Sequence, residues 1–396
     1  MRRIIDALNI AVPGRASPGV WMCLALVVAA SAGGLAEGPA AAQPASGTVV
    51  RVGLLPAVDA ATIGAEGPFD IVELPTGRRE TAEGGRVQTR AVAQGIDLGG
   101  VVYAAPVRLV PRSGFLQVNG RPYRGVLELR RALQGGLAVI NEVDLEEYLY
   151  GVVRSEMDPR WPPAALRAQA IAARSLALYW AGRFAAEGYD VRATTDSQVY
   201  GGVAAEDPRT TAAVDATRGL VMLYEGRPVF AAYHSDSGGA TESSEYVWGT
   251  AQPYLRGVPD PYAQESPTSR WTVRADLGAL EARLQRAGKT VAGLQRIEVA
   301  ATSPSGRALL VRLHAATGAT DVRGVDFRAL LGVGVLRSTL FTVQPAGDGV
   351  VEFSGRGAGH GVGMSQWGAR GQALQGRDYP DILRYYYTGV TIGTVP

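Results

Sequence analysis

The spacing of apolar residues changes at Val143, and the change limits what the chain can build on either side of it. From Val49 onward the apolar residues come in short runs, "VVRVGLL", "FDIVEL", "GVVYAAPVRLV", "GFLQV", "YRGVLELRR" and "LAVINEV". Turn signals such as Gly67-Pro68, Asn119-Gly120 and Gly135-Gly136 separate them. β-Branched and aromatic runs punctuated in this way predict a β-rich unit over 49–142. At "VDLEEYLYGVV" the period becomes helical: Leu145, Leu149 and Val152 share one face, and Asp144 and Glu147 have the spacing of a capping box. A helix is expected to start at about 145.

A second helix follows. Pro162 or Pro163 suits its first turn, where a missing N–H costs nothing. It is expected to run to about Glu187, burying Leu166, Ala170, Ala173, Ala177, Trp180 and Phe184 as a core stripe rather than a cofactor box. Residues 272–345 read as a small α/β insertion: the helix "LGALEARLQRAG", a strand pair around Ser305-Gly306 and the helix "VDFRALLG". A strand, a glycine-dense loop and the helix "YPDILRYYYTG" close the chain. The expected class is α+β, a β-rich N-terminal unit followed by a mixed helix and strand domain over 143–396.

Composition narrows the function. The chain has 396 residues, enough for two or three structural units, and 46% hydrophobic with 19% charged residues is a globular balance. Thirty-nine basic residues against 37 acidic leave a formal charge of +2, which is no nucleic-acid footprint. Lys289 is the only lysine, so nearly all the positive charge is guanidinium. Arginine suits bidentate contact with carboxylates, leaving an anionic partner open, but the base composition of the genome is the simpler explanation of the bias. Arg2, Arg3 and Arg15, the run "VWMCLALVVAASAGGLA" and Ala40-Ala41-Ala42 stand in the order of a secretory signal peptide over 1–42, with a linker over 43–48. An exported protein is expected, periplasmic or in the cell wall or outside the cell, and membrane-attached only if that segment stays uncleaved. Cys23 is the only cysteine and lies within it, so the mature chain is expected to have no disulfide and no cysteine metal ligand.

Three segments carry candidate chemistry. In "SEMDPRWPPAALRAQAIAARS" Glu156 falls at the corner between two helices, whose dipoles act on it in opposite senses. Burial against Met157 and Trp161 would raise its pKa toward that of a general acid; otherwise it is a loop carboxylate that caps or pairs with arginine. In "VFAAYHSDSGGATESSEYVWG" small polar side chains crowd a strand end around His234, Ser235, Ser237 and Thr241. No G-x-S-x-G elbow makes a nucleophile of these serines. In "GRGAGHGVGMSQWGARGQAL" five glycines in nine residues surround His360, with Ser365 and Gln366 beyond. No ribose-binding acid follows in a βαβ unit, which excludes a dinucleotide fingerprint. Three histidines in the whole chain, His234, His314 and His360, make a complete metal site improbable.

In this order, "LEEYLYGVVRSEM…WPPAALRAQAIAARS", "TDSQVYGG", "AAYHSDSGGATESSEYVWG…PYLRGV", "FRALLGVGVLRSTLF" and "GRGAGHGVGMSQWGARGQALQGRDYPDILRYYYTGV" resemble the sporulation stage II protein D / LytB family of cell-wall proteins. The resemblance spans nearly all of 143–396. It implies a lytic transglycosylase of peptidoglycan, with the S-E-M acid, Glu156, as the catalytic residue and the glycan strands as partner. The family also includes amidase enhancers, so the alternative is a glycan-binding module that assists a cell-wall amidase. The resemblance further implies substrate contacts at Gln169, Arg174, Tyr200, His234, Ser235, Ser237, Thr241, His360, Ser365 and Gln366. Arg174 would hold a lactyl or stem-peptide carboxylate and Tyr200 would stack on a sugar. Some relatives bind zinc through a histidine matching His234 together with cysteines; the mature chain lacks those cysteines, so no metal and no cofactor is expected. Ala358 stands where an aromatic residue is common.

Overall fold

The computed structural model describes residues 47–395. The expected signal segment, all of the linker but Gly47 and Thr48, and Cys23 lie outside the described residues. The fold is α+β and divides into two units, an N-terminal one (up to Ala232, with 377–384 and 389–395) and a C-terminal one (233–376 with 385–388).

In the N-terminal unit a seven-stranded sheet runs in the order 191–192, 49–58, 137–144, 126–131, 107–111, 69–73, 79–82. Its neighbours are antiparallel apart from Val191–Arg192, which lies parallel to Val49–Val58. The strand Leu137–Asp144 is buried from Leu137 through Asn141 without alternation, the mark of a strand covered on both faces. A second, six-stranded antiparallel sheet is ordered 121–123, 116–118, 60–65, 85–92, 95–98, 101–103. The expected β-rich segment thus forms two sheets.

Helix α1 (Leu145–Glu156) grows directly from the buried strand, and Asp144 caps it by accepting from the Glu146 and Glu147 amides at 2.9 and 3.4 Å. Helices α2 (Pro163–Tyr179) and α3 (Pro208–Asp215) pack on α1 and on each other. This continuity puts the helices in the same unit as the sheets, and the unit boundary falls at 232/233 rather than 142/143. Helix α2 is buried from Ala165 to Ala177 on every side except at Arg167, so it is an enclosed core helix rather than a striped surface one. It stops at Tyr179, eight residues before the expected end. Gly182 turns at φ +75° with its N–H held by Asp190, and Phe184 leaves the helical path to pack on Tyr189 at 5.4 Å.

The C-terminal unit holds α4 (Ser244–Trp248), α5 (Leu277–Arg286), α6 (Gly324–Leu331), α7 (Gln366–Leu374) and the last residues, Tyr385 and Tyr386, of α8 (Tyr379–Tyr386). One antiparallel sheet joins 294–302, 308–315 and 318–323; another joins 271–276, 350–355 and 341–345. The strand Val350–Gly355, read from sequence as following the insertion, is the middle strand of that second sheet. Leu280, Leu284, Val311, Leu313, Phe327, Leu331, Phe341 and Phe353 make their shared core. No helix among the described residues is long and apolar enough to cross a membrane.

One guanidinium ties the helices of the N-terminal unit together. Arg174 of α2, fully buried, grips Glu146 of α1 through two bonds of 2.8 and 2.6 Å. It also donates to the carbonyls of Val214 in α3 (3.3 Å) and of Leu220 (2.9 Å) at the start of a strand. Removing one partner of a buried pair leaves the other charge unmatched, so Glu146→Gln is expected to cost about 3–5 kcal/mol of unfolding free energy. Denaturant unfolding measures it; a loss within experimental error of zero would contradict this role.

Candidate functional site

Glu156 is the last residue of α1. Met157 caps the helix in extended conformation and is buried, Pro162 enters α2 at ψ 140°, and Pro163 supplies its first turn. Between them a tight turn closes with the Trp161 amide on the Asp158 carbonyl at 3.0 Å. The prolines and the extended cap therefore force the chain to fold back, leaving Glu156 half-buried at the corner with Oε1 shielded from solvent. The neighbouring acid is differently placed. Arg160 chelates Asp158 with bonds of 2.5–3.1 Å and holds its carboxyl down at about 2. Asp158 is therefore ionised at neutral pH and has no proton to give. Tyr148, about two helical turns before Glu156 in α1, is enclosed, and burial first, then Tyr200 and the Glu156 charge, push its phenol up.

Three expected substrate contacts in this unit are corrected by the packing. Arg174 is occupied by Glu146 and two carbonyls, so it is a strut and does not face a ligand carboxylate. Gln169 is fully buried in the enclosed middle of α2. Tyr200 is buried against Tyr148 (4.9 Å) and Tyr123 (5.8 Å), and its phenol donates to Asn141 at 3.0 Å; its ring is not a sugar platform.

In the C-terminal unit two loops run side by side. Tyr233–His234 pairs parallel with Met364–Ser365, and bridges join Asp236 to Ala358 and Glu242 to Val362. The structure brings His234, Ser235, Ser237, Thr241, His360, Ser365 and Gln366 into this one loop pair. Three of their hydroxyls serve it internally. Ser365 caps α7 by accepting from the Gly368 amide at 3.1 Å, Ser237 accepts from Gly239 at 3.2 Å, and Thr241 accepts from Val258 at 2.8 Å. These hydroxyls are buried and set the loop shape, which corrects the expectation that they contact substrate. His234, Ser235 and Gln366 are buried too, which corrects them as substrate contacts; His360, 9% exposed, is the most accessible of the group.

The two histidines stand with ring centres 5.4 Å apart, and the backbone of Val362 fixes both. His234 Nδ1 donates to the Val362 carbonyl, while His360 Nδ1 accepts from the Val362 amide, both at 3.1 Å. His234 is therefore the Nδ1–H tautomer and His360 the Nε2–H tautomer. Trp248 covers the His360 ring at 5.2 Å. Burial, then the Arg328 and Arg307 charges, push His360 down to about 3; burial, His360 and Arg307 hold His234 well below its usual range. Among the described residues no three His, Cys, Asp or Glu side chains gather as a metal cluster.

Four residues unremarked in the sequence complete the loop pair. Asp236 accepts from Gly238 and Thr268, both at 2.9 Å; Asp260, fully enclosed, accepts from Tyr386 at 3.0 Å; Trp271 donates to the Gly357 carbonyl at 2.9 Å; Arg307 donates to the carbonyls of Ser237 and Ala240. Asp236 stands between His234 and Ser237 in the "HSDSGG" run, and that position was its one available signal.

The family described as stage II sporulation protein matches residues 133–224, and a domain of unknown function matches 260–363. Stage II sporulation protein D of Bacillus amyloliquefaciens is 34% identical over 64% of this chain and 75% of its own length. An uncharacterized protein of Brachyspira hyodysenteriae is 32% identical over 88% of this chain and 94% of its own. The amidase enhancer of Bacillus subtilis is 30% identical over 62% of this chain and 40% of its own length.

The depressed histidines make a pH prediction. Below about pH 6.5 an unfolded chain protonates them while the native state does not, so their contribution to stability is lost progressively as pH falls from there toward the native value, about 3 for His360. His360→Gln is expected to remove about one proton's worth of that slope, about 1.4 kcal/mol per pH unit, from denaturant unfolding measured between about pH 7 and about pH 4. Identical slopes in the two proteins would contradict the neutral buried histidine.

Proposed function

The chain belongs to the stage II sporulation protein D family, and we propose that it is exported and acts as a lytic transglycosylase on the glycan strands of peptidoglycan. The observation that carries this reading is the corner built around Glu156: a half-buried carboxyl with one oxygen shielded, beside an Asp158 that Arg160 holds ionised. Three other acids near these motifs have arginine or serine partners. Asp196 pairs with Arg192 and Glu245 with Arg256, while Glu242 accepts from Ser303, Ser305 and the Ser243 amide.

One carboxyl group suffices for this reaction. In the neutral form Glu156 gives its proton to the oxygen linking N-acetylmuramic acid to N-acetylglucosamine, and the bond from muramic C1 to that oxygen breaks. The carboxylate so formed takes the proton of the same muramic residue's C6 hydroxyl, and O6 closes on C1 to give a 1,6-anhydro ring. The acid regains its proton and no water is consumed. A hydrolase would need a second carboxylate about 5–9.5 Å from the first. In the C-terminal unit the loop pair is read as a glycan contact through His360, its most accessible side chain, with the buried His234 ring behind it.

The similarity to an amidase enhancer favours one other reading, a glycan-binding protein that makes no cut and assists a cell-wall amidase. Glu156→Gln separates the two. The substitution keeps the shape of the side chain and removes its proton, so release of soluble fragments from purified peptidoglycan is expected to fall on the order of 10²–10⁴-fold. Glycan binding and the unfolding midpoint are expected to stay at their wild-type values. A Glu156→Gln protein that solubilises peptidoglycan at the wild-type rate would exclude Glu156 as the acid; a wild type that binds glycan without cutting it would favour the enhancer.

A further inference from the structure

The segment 260–363 matches a domain to which no function is attached, and its contacts point to one. Its hairpin turn between the strands 294–302 and 308–315 reaches the histidine-bearing loops at both ends. At one end the Arg307 guanidinium, 2% exposed, donates to the Ser237 carbonyl at 2.6 Å and to the Ala240 carbonyl at 3.3 Å. At the other, Ser303 and Ser305 donate to the Glu242 carboxylate, Ser305 at 2.7 Å. The loop 237–242 is thus clamped over its whole length by one turn.

The glycine loop lies on the same clamp. Gly361 has φ +87°, and a Cβ there would stand 2.5 Å from Arg307 Cζ, so the loop backbone rests directly on the guanidinium. The Gly359 amide donates to the Arg337 carbonyl at 2.9 Å, and Arg328 of α6 fixes that segment by donating to the carbonyls of Leu336 and Arg337. The Gly357 carbonyl takes the Trp271 indole N–H. Gly357, Gly359 and Gly361, at every second position, are each held by a residue between 271 and 337. This accounts for the spacing of the glycines, which no cofactor motif explained.

We propose that Arg307 is a positioning residue: the α/β module uses its guanidinium to hold the Ser237–Ala240 turn and Gly361 together, and so fixes where His360 stands for glycan contact. The proposal rests on reading that loop pair as a glycan contact. Arg307 also bears on the charge of the rings. The groups facing His234 are His360, Arg307, Arg328 and the Val362 carbonyl; those facing His360 are Arg328, Arg307 and the Tyr233 carbonyl. The two arginines oppose protonation of both rings.

The test compares Arg307→Met and Arg307→Lys in the whole protein, checked for native circular dichroism. Two readouts are followed: ring ¹⁵N shifts of the histidines against pH, and kcat and KM on purified glycan strands. Arg307→Met is expected to make both rings titrate at higher pH than in wild type and to raise KM on the order of ten-fold, with kcat much less affected. Arg307→Lys keeps the charge but is shorter and lacks the planar group that lies against Gly361; it is expected to leave the rings neutral and still raise KM. Folded Arg307→Met with wild-type ring shifts and wild-type KM would overturn the proposal. If Arg307→Met does not fold, Arg307→Lys decides by the same two measurements, an unchanged KM overturning the positioning role. If wild type neither binds nor cuts glycan, the functional reading fails, while the ring shifts still report whether Arg307 holds the histidines.

Discussion

A guanidinium buried in the protein interior needs acceptors within reach, and arginines that bond separate segments organise each of the two units. Arg174 meets a carboxylate and two carbonyls in the N-terminal unit; Arg307 and Arg328 meet backbone carbonyls in the C-terminal unit. The rigid fork lets one side chain bond several separate segments, which an ammonium on a flexible stem does less well. The single lysine, Lys289, is on the surface. Arginine richness left an anionic partner open as a reading of the sequence, but these three arginines serve the fold. Burial, offset only in part at Arg307 by the Glu242 and Asp236 charges and reinforced at Arg328 by Arg307, holds both down to about 10, still charged at neutral pH.

The candidate chemistry follows from these struts. Arg174 sets α1 against α2, and the end of α1 is where Glu156 stands, ahead of a proline turn that leaves the chain no helical continuation. Arg307 sets one loop against another, and those loops carry the two histidines. A carboxyl meant to change its proton and imidazoles meant to keep theirs require different surroundings. Glu156 sits half-buried at a corner; the histidines sit among arginines, enclosed.

Much of this was legible in the sequence wherever local rules govern. The β-rich segment, the Asp144 cap, the start of α1 at Leu145 and the α/β character of 272–345 follow from periodicity and capping chemistry that act within a few residues. The motifs around Glu156, His234 and His360 identified the loops that the structure describes. What was not legible depended on long-range packing. Arg174 and Gln169 looked polar on a helix drawn alone, yet α2 is enclosed on nearly all sides and its polar atoms face the interior. Phe184 continued an apolar stripe, but Gly182 turned the chain first. Arg307 lies in an ordinary Ser-Gly turn, and only tertiary structure brings it 2.6 Å from a carbonyl seventy residues away.

The central claim is that a single carboxyl group cuts glycan without water, and the products record whether it does. Purified protein lacking the N-terminal 42 residues, incubated with peptidoglycan and analysed by mass spectrometry, is expected to release fragments ending in 1,6-anhydromuramic acid, each one water lighter than its hydrolytic counterpart. Fragments ending only in reducing muramic acid would contradict the account, because they require a water and the second carboxylate that activates it.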